Sequence, residues 1–414
     1  MLRLVRDNAE RLATQIGAPL EIGRVLVRDP GRERDPACDR RWLTTSVADV
    51  VDDPALDVLV EVMGGEGEAG AHIERALARG VGVVTANKML LARRGPDLLA
   101  TAVRGGADLA FEASVGGGIP VIRTLRDALT GDSVERLAGI VNGTCNYMLT
   151  RMREEGIGFE TALAEAQRLG YAEAEPSLDV DGHDAAQKLV VLAMLAFGAR
   201  VNEADVPVTG IRAIDAEDHR LAARFGYRIK HLAIGHDHGT DLELRVHPAL
   251  VPEGDTLASV SGVLNALRVE GRALGPCLLS GRGAGAMPTA VSVVADLADV
   301  ARARRAGAGG LATRGIRAVP RTLRPLSAVE TPFYLRFSVH DRPGVLSAIA
   351  GSLGENGVSI EQMVQIGSGG QAPVRIVMLT HRACWGGVSD ALAAIARQSF
   401  VAEPSRLLPI AVGA

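Results

Sequence analysis

The chain has 414 residues, of which 47% are hydrophobic and only 3% aromatic, and its formal net charge is −4. This length predicts two or three domains, each with an ample aliphatic core of the kind that suits an α/β protein. The small net charge is spread without blocks of one sign, so we expect no nucleic-acid partner and no binding to an anionic membrane.

The cysteines and the apolar runs argue against further classes of protein. The four cysteines, Cys38, Cys145, Cys277 and Cys384, form no CxxC pair, which argues against a zinc site or a disulfide framework. The longest apolar run, 189–199, is too short to cross a bilayer, and the N-terminus lacks an apolar signal core. We therefore expect a cytoplasmic protein.

The first part of the chain alternates helical and strand-like segments. Apolar residues recur at helical spacing from Leu2 to Ile16 and stop at Gly17. The strand-like segments LEIGRVLVRDP, LDVLVEVMGG and VGVVTANK follow, with the helical segment AHIERALARG before the last of them. This order predicts βαβ units and a Rossmann-type doubly wound sheet.

Residues 65–70 match the pattern GxGxxG, but the match is in the wrong place. A dinucleotide fingerprint follows the first strand of such a sheet, whereas this loop follows a later one. Glu66 and Glu68 would also repel a phosphate. We expect instead that Gly64 and Gly65 give other parts of a cofactor close access to the backbone.

The second half of the chain predicts two more domains. The segment SVERLAGIVNGTCNYMLTRMREEG opens an α+β domain, and SGRGAGAMPTAVSVVADLADVARARR places a glycine-rich loop before an apolar-striped helix. The tail alternates as βαββαβ, which is typical of a ferredoxin-like unit. We divide the chain into residues 1–114, 115–306, a Gly/Arg/Pro-rich linker 307–331, and 332–414, and expect the helix 289–306 to pack back onto the first domain.

An acidic run, GYAEAEPSLDVDGHDAAQK, ends in Lys188 just before an apolar segment. Asp184 and Lys188 are four residues apart, so on a helix they share one face. Two interpretations are open at this point. The run is either a solvated acidic loop with one salt-bridged lysine, or the wall of a site for a polar, cationic substrate.

Several motifs occur together in the order that homoserine dehydrogenases show. They are EVMGG, TANK, EASVGGGIP, NGTCNYML, the acidic run and GRGAG. The resemblance covers the chain from its first helix to about residue 306, and the tail resembles the ACT domain that many members carry. It implies a Rossmann-type cofactor domain, a substrate and dimerisation domain, and a homodimer or homotetramer.

The resemblance also implies an activity and roles for residues. The reaction would be the reversible NAD(P)-dependent oxidation of L-homoserine to aspartate 4-semialdehyde, in threonine, methionine and isoleucine biosynthesis. By similarity Lys188 is the acid/base, because a lysine whose pKa is lowered can exchange a proton with an alcohol. Lys88 would meet both cofactor and substrate. Glu173 and Asp184 would bind the substrate, and Asp179 would either bind it too or only support Lys188.

The cofactor and cation positions follow from the same motifs. The resemblance places cofactor contacts at Gly64, Gly65, Thr85, Lys88, Gly170 and Gly285. It places a monovalent cation, sodium or potassium, at Glu112, Val115, Gly117 and Ile119. Arginines after the second strand, Arg28, Arg32 and Arg34, suit a 2′-phosphate, whereas Asp29 suits a ribose hydroxyl, and we lean slightly to NADP over NAD.

Two features depart from the family pattern. Members begin with a strand and a GxGxxG loop that feed the helix seen here at Leu2, and we expect both to be missing from this chain. Glu175 stands where the family usually has Asp. An alternative function is therefore a truncated, weakly active or inactive chain that acts only as an amino-acid-binding module.

The turn HDRPG, 340–344, is where ACT domains bind amino acids, and threonine is the expected effector.

Overall fold

The computed structural model describes residues 1–367 and 372–411, apart from the side chain of Ala312. The chain divides into two compact units. The first unit is made of residues 1–135, 187–205 and 264–321. The second unit is made of residues 136–186, 206–263 and the described residues from 322 onward.

Two small parallel sheets form the Rossmann-type part of the first unit. One pairs Val25–Leu26 with Leu43–Thr44, and the other has the order Val58–Glu61, Gly82–Thr85, Leu109–Ala110. The strand Gly82–Thr85 is buried along its whole length, as a central parallel strand must be, and this explains the unbroken apolar run that encodes it. The predicted Rossmann-type α/β class is confirmed.

A cavity of about 1570 Å³ borders both of these sheets and is lined by residues 20–26 and 57–63, among others. Among the described residues, Val25–Leu26 has one strand partner and Val58–Glu61 has one. The doubly wound sheet is therefore present as two pieces, with an unpaired strand edge on each piece. The long strand predicted from LEIGRVLVRDP is shorter than expected, because only two of its residues find a partner.

The helices of the first unit pack around these sheets. The expected N-terminal helix is broken in two at Asn8, whose backbone leaves the helical region (φ −118°, ψ 19°). The longest helix, Ala286–Arg305, packs on Ala9–Ile16 and on Gly82–Thr85. A side chain at Gly82 would meet Val300 of this helix at 2.5 Å. In chain order the helices are Leu2–Asp7, Ala9–Ile16, Ala48–Val51, Gly67–Ala78, Lys88–Gly105, Val121–Arg123, Ala286–Arg305 and Leu311–Arg314.

The rest of the first unit consists of short pairings. Leu264–Gly271 and Gly275–Arg282 form an antiparallel hairpin just before the longest helix. The segment predicted as a linker, 307–331, makes specific contacts: Val319–Pro320 pairs in parallel with Ala199–Arg200, and Thr313 accepts a hydrogen bond from the Leu109 amide at 2.9 Å. Its glycines and prolines keep the elements short without preventing these hydrogen bonds.

The second unit contains an antiparallel sheet with helices against it. Tyr227–Asp237 lies between Leu242–Pro252 and the strand Val134–Ile140, which enters this unit at Arg136. Met148, Leu149 and Met152 project from the helix Gly143–Glu155 into a core that this helix shares with the sheet. The helices before the tail are Gly143–Glu155, Phe159–Arg168, Ser177–Val180, Ala216–Arg224 and Thr256–Ser259. The helix His183–Ala196 begins in this unit and ends in the other.

The tail has the ferredoxin-like fold that its sequence predicts. Its sheet order is Ile360–Ile366, Val374–Thr380, Phe333–Val339, Val401–Pro409, and every neighbouring pair is antiparallel. Two helices cover one face of it, Val345–Glu355 and Trp385–Ile395. None of the described helices in the chain is both long and apolar enough to cross a membrane.

The central strand of the tail, Phe333–Val339, is buried on both faces. Phe333, Leu335, Phe337 and Val339 point into the core beneath the two tail helices. Tyr334, on the opposite face, joins the core of the helix Gly143–Glu155. This period of two means that the tail sheet packs against the rest of the second unit, and that it is part of one hydrophobic core with it.

Candidate active site

In the first unit a buried carboxylate organises the ends of two parallel strands. Glu61, 3% exposed, ends the strand Val58–Glu61. Its Oε1 accepts from the amides of Met63 (2.7 Å) and Gly64 (2.9 Å), and its Oε2 accepts from the Thr85 hydroxyl at 2.5 Å. Ligands bind at the carboxyl ends of parallel strands, so these bonds shape the loop that a cofactor would meet.

The glycine loop after this strand is held open from its other side. Gly64 and Gly65 both have positive φ (76° and 79°), a conformation that favours glycine. The Asn87 side chain donates to the Gly65 carbonyl at 2.6 Å and caps the helix Lys88–Gly105 by accepting from Leu90. The GxGxxG match itself runs into a helix, where Gly70 lets Leu90 approach closely.

Lys88 is the first residue of the helix Lys88–Gly105 and is half-buried. It directly follows the cap residue Asn87 and lies shortly after the end of the strand Gly82–Thr85. Thr85 is fully buried, and its hydroxyl accepts from the Asn87 amide at 3.0 Å while donating to Glu61. The structure therefore brings Gly64, Gly65, Thr85 and Lys88 to one edge of the three-stranded sheet.

The predicted cation positions lie in a buried loop of the same unit. Glu112 is 2% exposed, and its carboxylate accepts from the amides of Ile122 (2.8 Å) and Arg123 (2.9 Å) and from Arg123 Nε (3.2 Å). The Gly117 carbonyl accepts from Ser292 at 2.6 Å. The other two positions, Val115 and Ile119, are buried in the same turn.

A second buried acid lies beside this loop. Asp296, 2% exposed, accepts from the Glu112 amide through its Oδ2 at 2.7 Å. Burial raises the pKa of Asp296 to about 7, although that hydrogen bond favours its charged form. Two buried carboxyl groups, one in the loop and one on the helix Ala286–Arg305, therefore pair with the same arginine, Arg123.

Close backbone contacts join this loop to the glycine-rich segment GRGAG. A side chain at Gly117 would come within 2.5 Å of the Gly283 carbonyl, and one at Gly283 would collide with the Asn265 side chain. The Gly118 amide donates to the Arg282 carbonyl at 3.2 Å. Gly285 then begins the longest helix with φ 117°. Glycine is required here because the main chain is packed too closely for a side chain.

In the second unit one amide binds two of the predicted substrate carboxylates. Asn142 Nδ2 donates to Asp179 Oδ1 at 2.7 Å and to Asp184 Oδ2 at 2.8 Å. Its Oδ1 accepts from the Cys145 amide at 2.8 Å and so caps the helix Gly143–Glu155. Two carboxylates held this close repel each other unless a cation or donors lie between them. The pair is a candidate receptor for an ammonium group.

The other acids of the run behave differently. Glu173 is exposed, and its backbone carbonyl accepts from Gln167 at 3.0 Å. Glu175 is exposed, and the Ser177 hydroxyl and amide beside it lower the pKa of its carboxyl. Asp181 forms an ion pair with Arg212 at 2.5 Å. Part of the run is therefore an acidic surface, and part is held together by Asn142.

Gly170, the last of the predicted cofactor positions, stands at the start of the run in the second unit. It follows the helix Phe159–Arg168 and has φ 75°, a conformation that favours glycine. The described contacts place it in the turn that leads to the acids, where its amide donates to the Gln167 carbonyl at 3.0 Å. Its assignment to the cofactor stays a prediction.

Lys188 lies on the helix His183–Ala196, one turn after Asp184, and is half-buried. Residues four apart project from one helical face, as the spacing predicts. In the first unit this helix touches the helix that begins at Lys88, since a side chain at Gly95 would meet the Met194 sulfur at 3.1 Å. Both candidate lysines are therefore carried by helices fixed in packed surroundings.

Comparison with known proteins shows the family to which the chain belongs. The family model for the homoserine dehydrogenase NAD-binding domain matches residues 1–112, the homoserine dehydrogenase model matches residues 120–298, and the ACT domain model matches residues 333–399. The homoserine dehydrogenase of Pseudomonas aeruginosa is 41% identical over 97% of this chain and 93% of its own length. The chain belongs to the homoserine dehydrogenase family.

Solved homoserine dehydrogenases have the same fold. The Thiobacillus denitrificans enzyme superposes with a TM-score of 0.92 at 40% identity, covering 100% of this chain and 95% of that chain. A hyperthermophilic archaeal homoserine dehydrogenase in complex with NADPH has a TM-score of 0.54 at 30% identity, covering 62% and 74%. The Bacillus subtilis homoserine dehydrogenase is 40% identical over 95% of this chain and 90% of its own.

The homoserine dehydrogenase motifs contain two further residues that sequence reasoning did not single out. Glu61 opens EVMGG and Asn142 opens NGTCNYML, and both motifs were noted only as marks of resemblance. In the sequence, each residue has a sufficient local explanation: the glutamate ends an apolar strand, and the asparagine caps a helix. Only the fold shows that their other atoms hold Thr85, Asp179 and Asp184.

Changing Asn142 to Asp tests whether this amide organises the site or only caps a helix. The variant keeps the oxygen that accepts from Cys145, but it replaces both donors with a third carboxylate. We expect kcat/KM in a homoserine dehydrogenase assay to fall by roughly 10- to 100-fold, the loss of one or two charge-assisted bonds, with a small change in Tm. The control is Asn202→Asp at an exposed asparagine. Unchanged kcat/KM in Asn142→Asp would show that Asn142 only caps the helix.

Proposed function

We propose that this chain catalyses the reversible oxidation of L-homoserine to aspartate 4-semialdehyde with NADP or NAD. The observation that carries the proposal is the pair Asp179 and Asp184 held by Asn142, one helical turn from Lys188. Homoserine carries one ammonium and one hydroxyl, and this arrangement offers an anionic receptor beside a group that exchanges protons. Family membership and the named relatives support the same reaction.

Lys188 is the acid/base of this proposal. In the oxidation direction its neutral amine takes the hydroxyl proton of homoserine as the carbinol C–H bond breaks and the C=O bond forms. A bound nicotinamide supplies the hydride acceptor. In the reverse direction the ammonium of Lys188 returns the proton to the carbonyl oxygen. Lys88, at a helix start on the edge of the parallel sheet, stabilises negative charge on that oxygen.

The acids hold the substrate. Asp184 is 4% exposed, so a bound ammonium there is shielded from water and its attraction to the carboxylate is strengthened. Asp179 shares the Asn142 amide with it, and we assign it to the same ammonium. Glu173 is exposed and is proposed as the outer ligand that meets the substrate on entry. Glu175 accepts locally from the Ser177 amide, and we give it no role in binding.

Two substitutions at Lys188 test the acid/base role. Lys188→Met removes the proton-transfer group, and we expect kcat to fall by roughly 10²- to 10⁴-fold. Lys188→Arg keeps the positive charge but cannot release a proton near neutral pH, so it should be equally inactive. NADPH binding, followed by fluorescence, should stay within a few-fold. Recovery of turnover in Lys188→Arg would assign a purely electrostatic role, and near-normal turnover in Lys188→Met would end the proposal.

We propose NADP as the preferred cofactor. One relative of known structure is described in complex with NADPH. Arg28 and Arg32 are exposed just after the strand Val25–Leu26, and Arg34 is tied back to the Asp29 carbonyl at 2.7 Å. Two exposed guanidiniums suit a 2′-phosphate. The ratio of kcat/KM for NADP over NAD measures the preference, and a ratio below one would reverse it.

We propose a monovalent cation, sodium or potassium, at the loop with Glu112, Val115, Gly117 and Ile119. Support comes from a buried carboxylate close in the chain to a turn in which Gly116 and Gly117 have positive φ, since carboxylate and main-chain carbonyl oxygens are the ligands that hard cations prefer. A carboxylate accepts about four bonds, and Ile122 and Arg123 supply three of those to Glu112. Equal activity in sodium, potassium and tetramethylammonium salts would argue against a functional cation.

The tail is proposed to bind threonine and to regulate the enzyme. Arg336, on its central strand, donates to Asp215 at 2.7 Å and to Glu217 at 2.9 Å, and Arg375 on the next strand also donates to Glu217 at 2.9 Å. Asp215 caps the helix Ala216–Arg224, which packs on the helix that Asn142 caps. A shift of the tail sheet would therefore be transmitted through contiguous contacts of the second unit to the substrate acids.

Millimolar threonine should lower kcat/KM, and weakening the ionic contact should reduce that effect. We expect Arg375→Gln to diminish inhibition by threonine while basal kcat stays within about twofold, because Arg375 lies several contacts away from the substrate acids. Arg397→Gln, at an exposed arginine on the tail, is the matched control. Threonine that neither binds by calorimetry nor changes the kinetics would leave the tail a role in forming the proposed homodimer or homotetramer, measured by light scattering.

The alternative function is an amino-acid-binding module without catalysis. It is favoured less, because family models match residues 1–112 and 120–298 as well as the tail, and because the substrate acids form an organised pair. The unpaired strand edges at the cavity, among the described residues, are the observation in its favour. Titration of NADPH fluorescence separates the two functions, since the alternative predicts no saturable binding.

A further inference from the structure

Two histidines and a glutamate meet at the end of a hairpin in the second unit. His236 lies near the end of the strand Tyr227–Asp237, and Glu243 is its direct cross-strand neighbour on the strand Leu242–Pro252. His238 follows two residues after His236, so both rings lie on one face of the ribbon. Among the described residues these three side chains form a cluster in which one donor atom from each lies within 4.8 Å of the others.

The donor atoms are already oriented toward one another. The two imidazole rings lie with centroids 3.8 Å apart and their planes tilted by 45°, and His238 Nε2 lies 3.2 Å from Glu243 Oε2. All three groups are partly shielded: the histidines are half-buried and Glu243 is 7% exposed. Zinc binds imidazole nitrogen and carboxylate oxygen at about 2.0–2.2 Å, so small side-chain rotations bring the three atoms onto one ion.

We propose that His236, His238 and Glu243 form a binding site for a single divalent transition-metal ion of the zinc class. Two imidazoles and a carboxylate make a three-ligand set that leaves one coordination position to water. Imidazole with carboxylate suits zinc, nickel and copper better than magnesium or calcium, which prefer oxygen ligands alone. The site is separate from the residues assigned to the dehydrogenase reaction.

The turn and the neighbouring strand hold the ligands in place. The His238 amide donates to the Asp241 carbonyl at 3.1 Å, and the Gly239 amide donates to the Asp237 side chain at 2.8 Å. Arg245 Nε donates to Glu243 Oε1 at 2.8 Å. This bond orients the carboxylate and leaves Oε2 directed at His238, as hydrogen bonds to the ligands do in metal sites generally.

The same surroundings limit the affinity. Arg245 neutralises part of the Glu243 charge, and Arg324 is paired with Asp241 at 3.0 Å on the other side of the turn. Arg136 Nε donates to His236 Nε2 at 3.3 Å, and so occupies a lone pair that a metal would use. Arg136 is exposed and therefore has room to withdraw. The site should bind zinc, but less tightly than it would without this arginine.

A bound ion would join the two strands beside the turn that connects them and stabilise the fold that binds it. The gain in unfolding free energy follows RT ln(1 + [L]/Kd), so a site at one hundred times its Kd raises stability by about 2.7 kcal/mol. The β ribbon concerned packs in the same unit as the substrate acids and the tail. Zinc binding should therefore appear in Tm even where catalysis is unaffected.

The direct test is a zinc titration of the full chain after EDTA treatment and removal of any affinity tag. Isothermal calorimetry and competition with a colorimetric chelator should both give about one zinc ion per chain and an increase in Tm. His238→Ala and His236→Gln should each weaken binding by roughly tenfold or more. His381→Ala, at an exposed histidine in the same unit, should leave it unchanged.

A second variant gives a result that general damage to the fold cannot produce. Arg136→Ala removes the competing donor and one nearby positive charge, so it should tighten zinc binding several-fold. The proposal is overturned if the wild-type chain takes up no zinc, or if the double variant His236→Gln/His238→Ala binds it as well as the wild type does. Zinc binding unaltered in Arg136→Ala would likewise overturn the geometry argued for His236.

Discussion

Asn142 donates from its side-chain amide to two carboxylates, Asp179 and Asp184, while its carbonyl oxygen begins the helix Gly143–Glu155. A helix start, an acidic loop and the helix that carries Lys188 are thereby joined through one side chain. Two carboxylates held so close together favour a cation between them. Because the fold itself brings these acids together through Asn142, their arrangement does not depend on a bound ligand. The entropy of ordering them is lost during folding.

The tail is packed firmly against the rest of the second unit. Its central strand alternates between two cores, because Leu335 and Phe337 fill one core while Tyr334 enters the other. Arg336 takes the polar position on that second face and binds Asp215, at the start of another helix. A domain attached by a continuous core and a half-buried ionic contact cannot move without strain in its neighbour, since packed interiors deform little. This gives effector binding a mechanical route to the substrate acids.

In the first unit, close main-chain contacts at glycines hold together segments that are distant in sequence. The loop with Gly117 lies on Gly283, and Gly283 lies on Asn265, so three segments distant in sequence approach more closely than larger side chains would permit. Glu61 then fixes the glycine loop at the end of the parallel strands. Within the described part of the chain, the unpaired strand edges at the 1570 Å³ cavity are an exception to this close packing.

Apolar periodicity and glycine positions follow local geometry, so they were enough to predict the fold class and the ferredoxin-like order of the tail. The sequence also placed Asp184 and Lys188 on one helix, since their spacing is local. Which acids of the run are joined to Asn142 and which, like Asp181, are paired at the surface depends on contacts between residues distant in sequence, so it could be seen only in the folded chain. The cluster of His236, His238 and Glu243 could not be read from spacing either, because cross-strand register brings its carboxylate to its histidines.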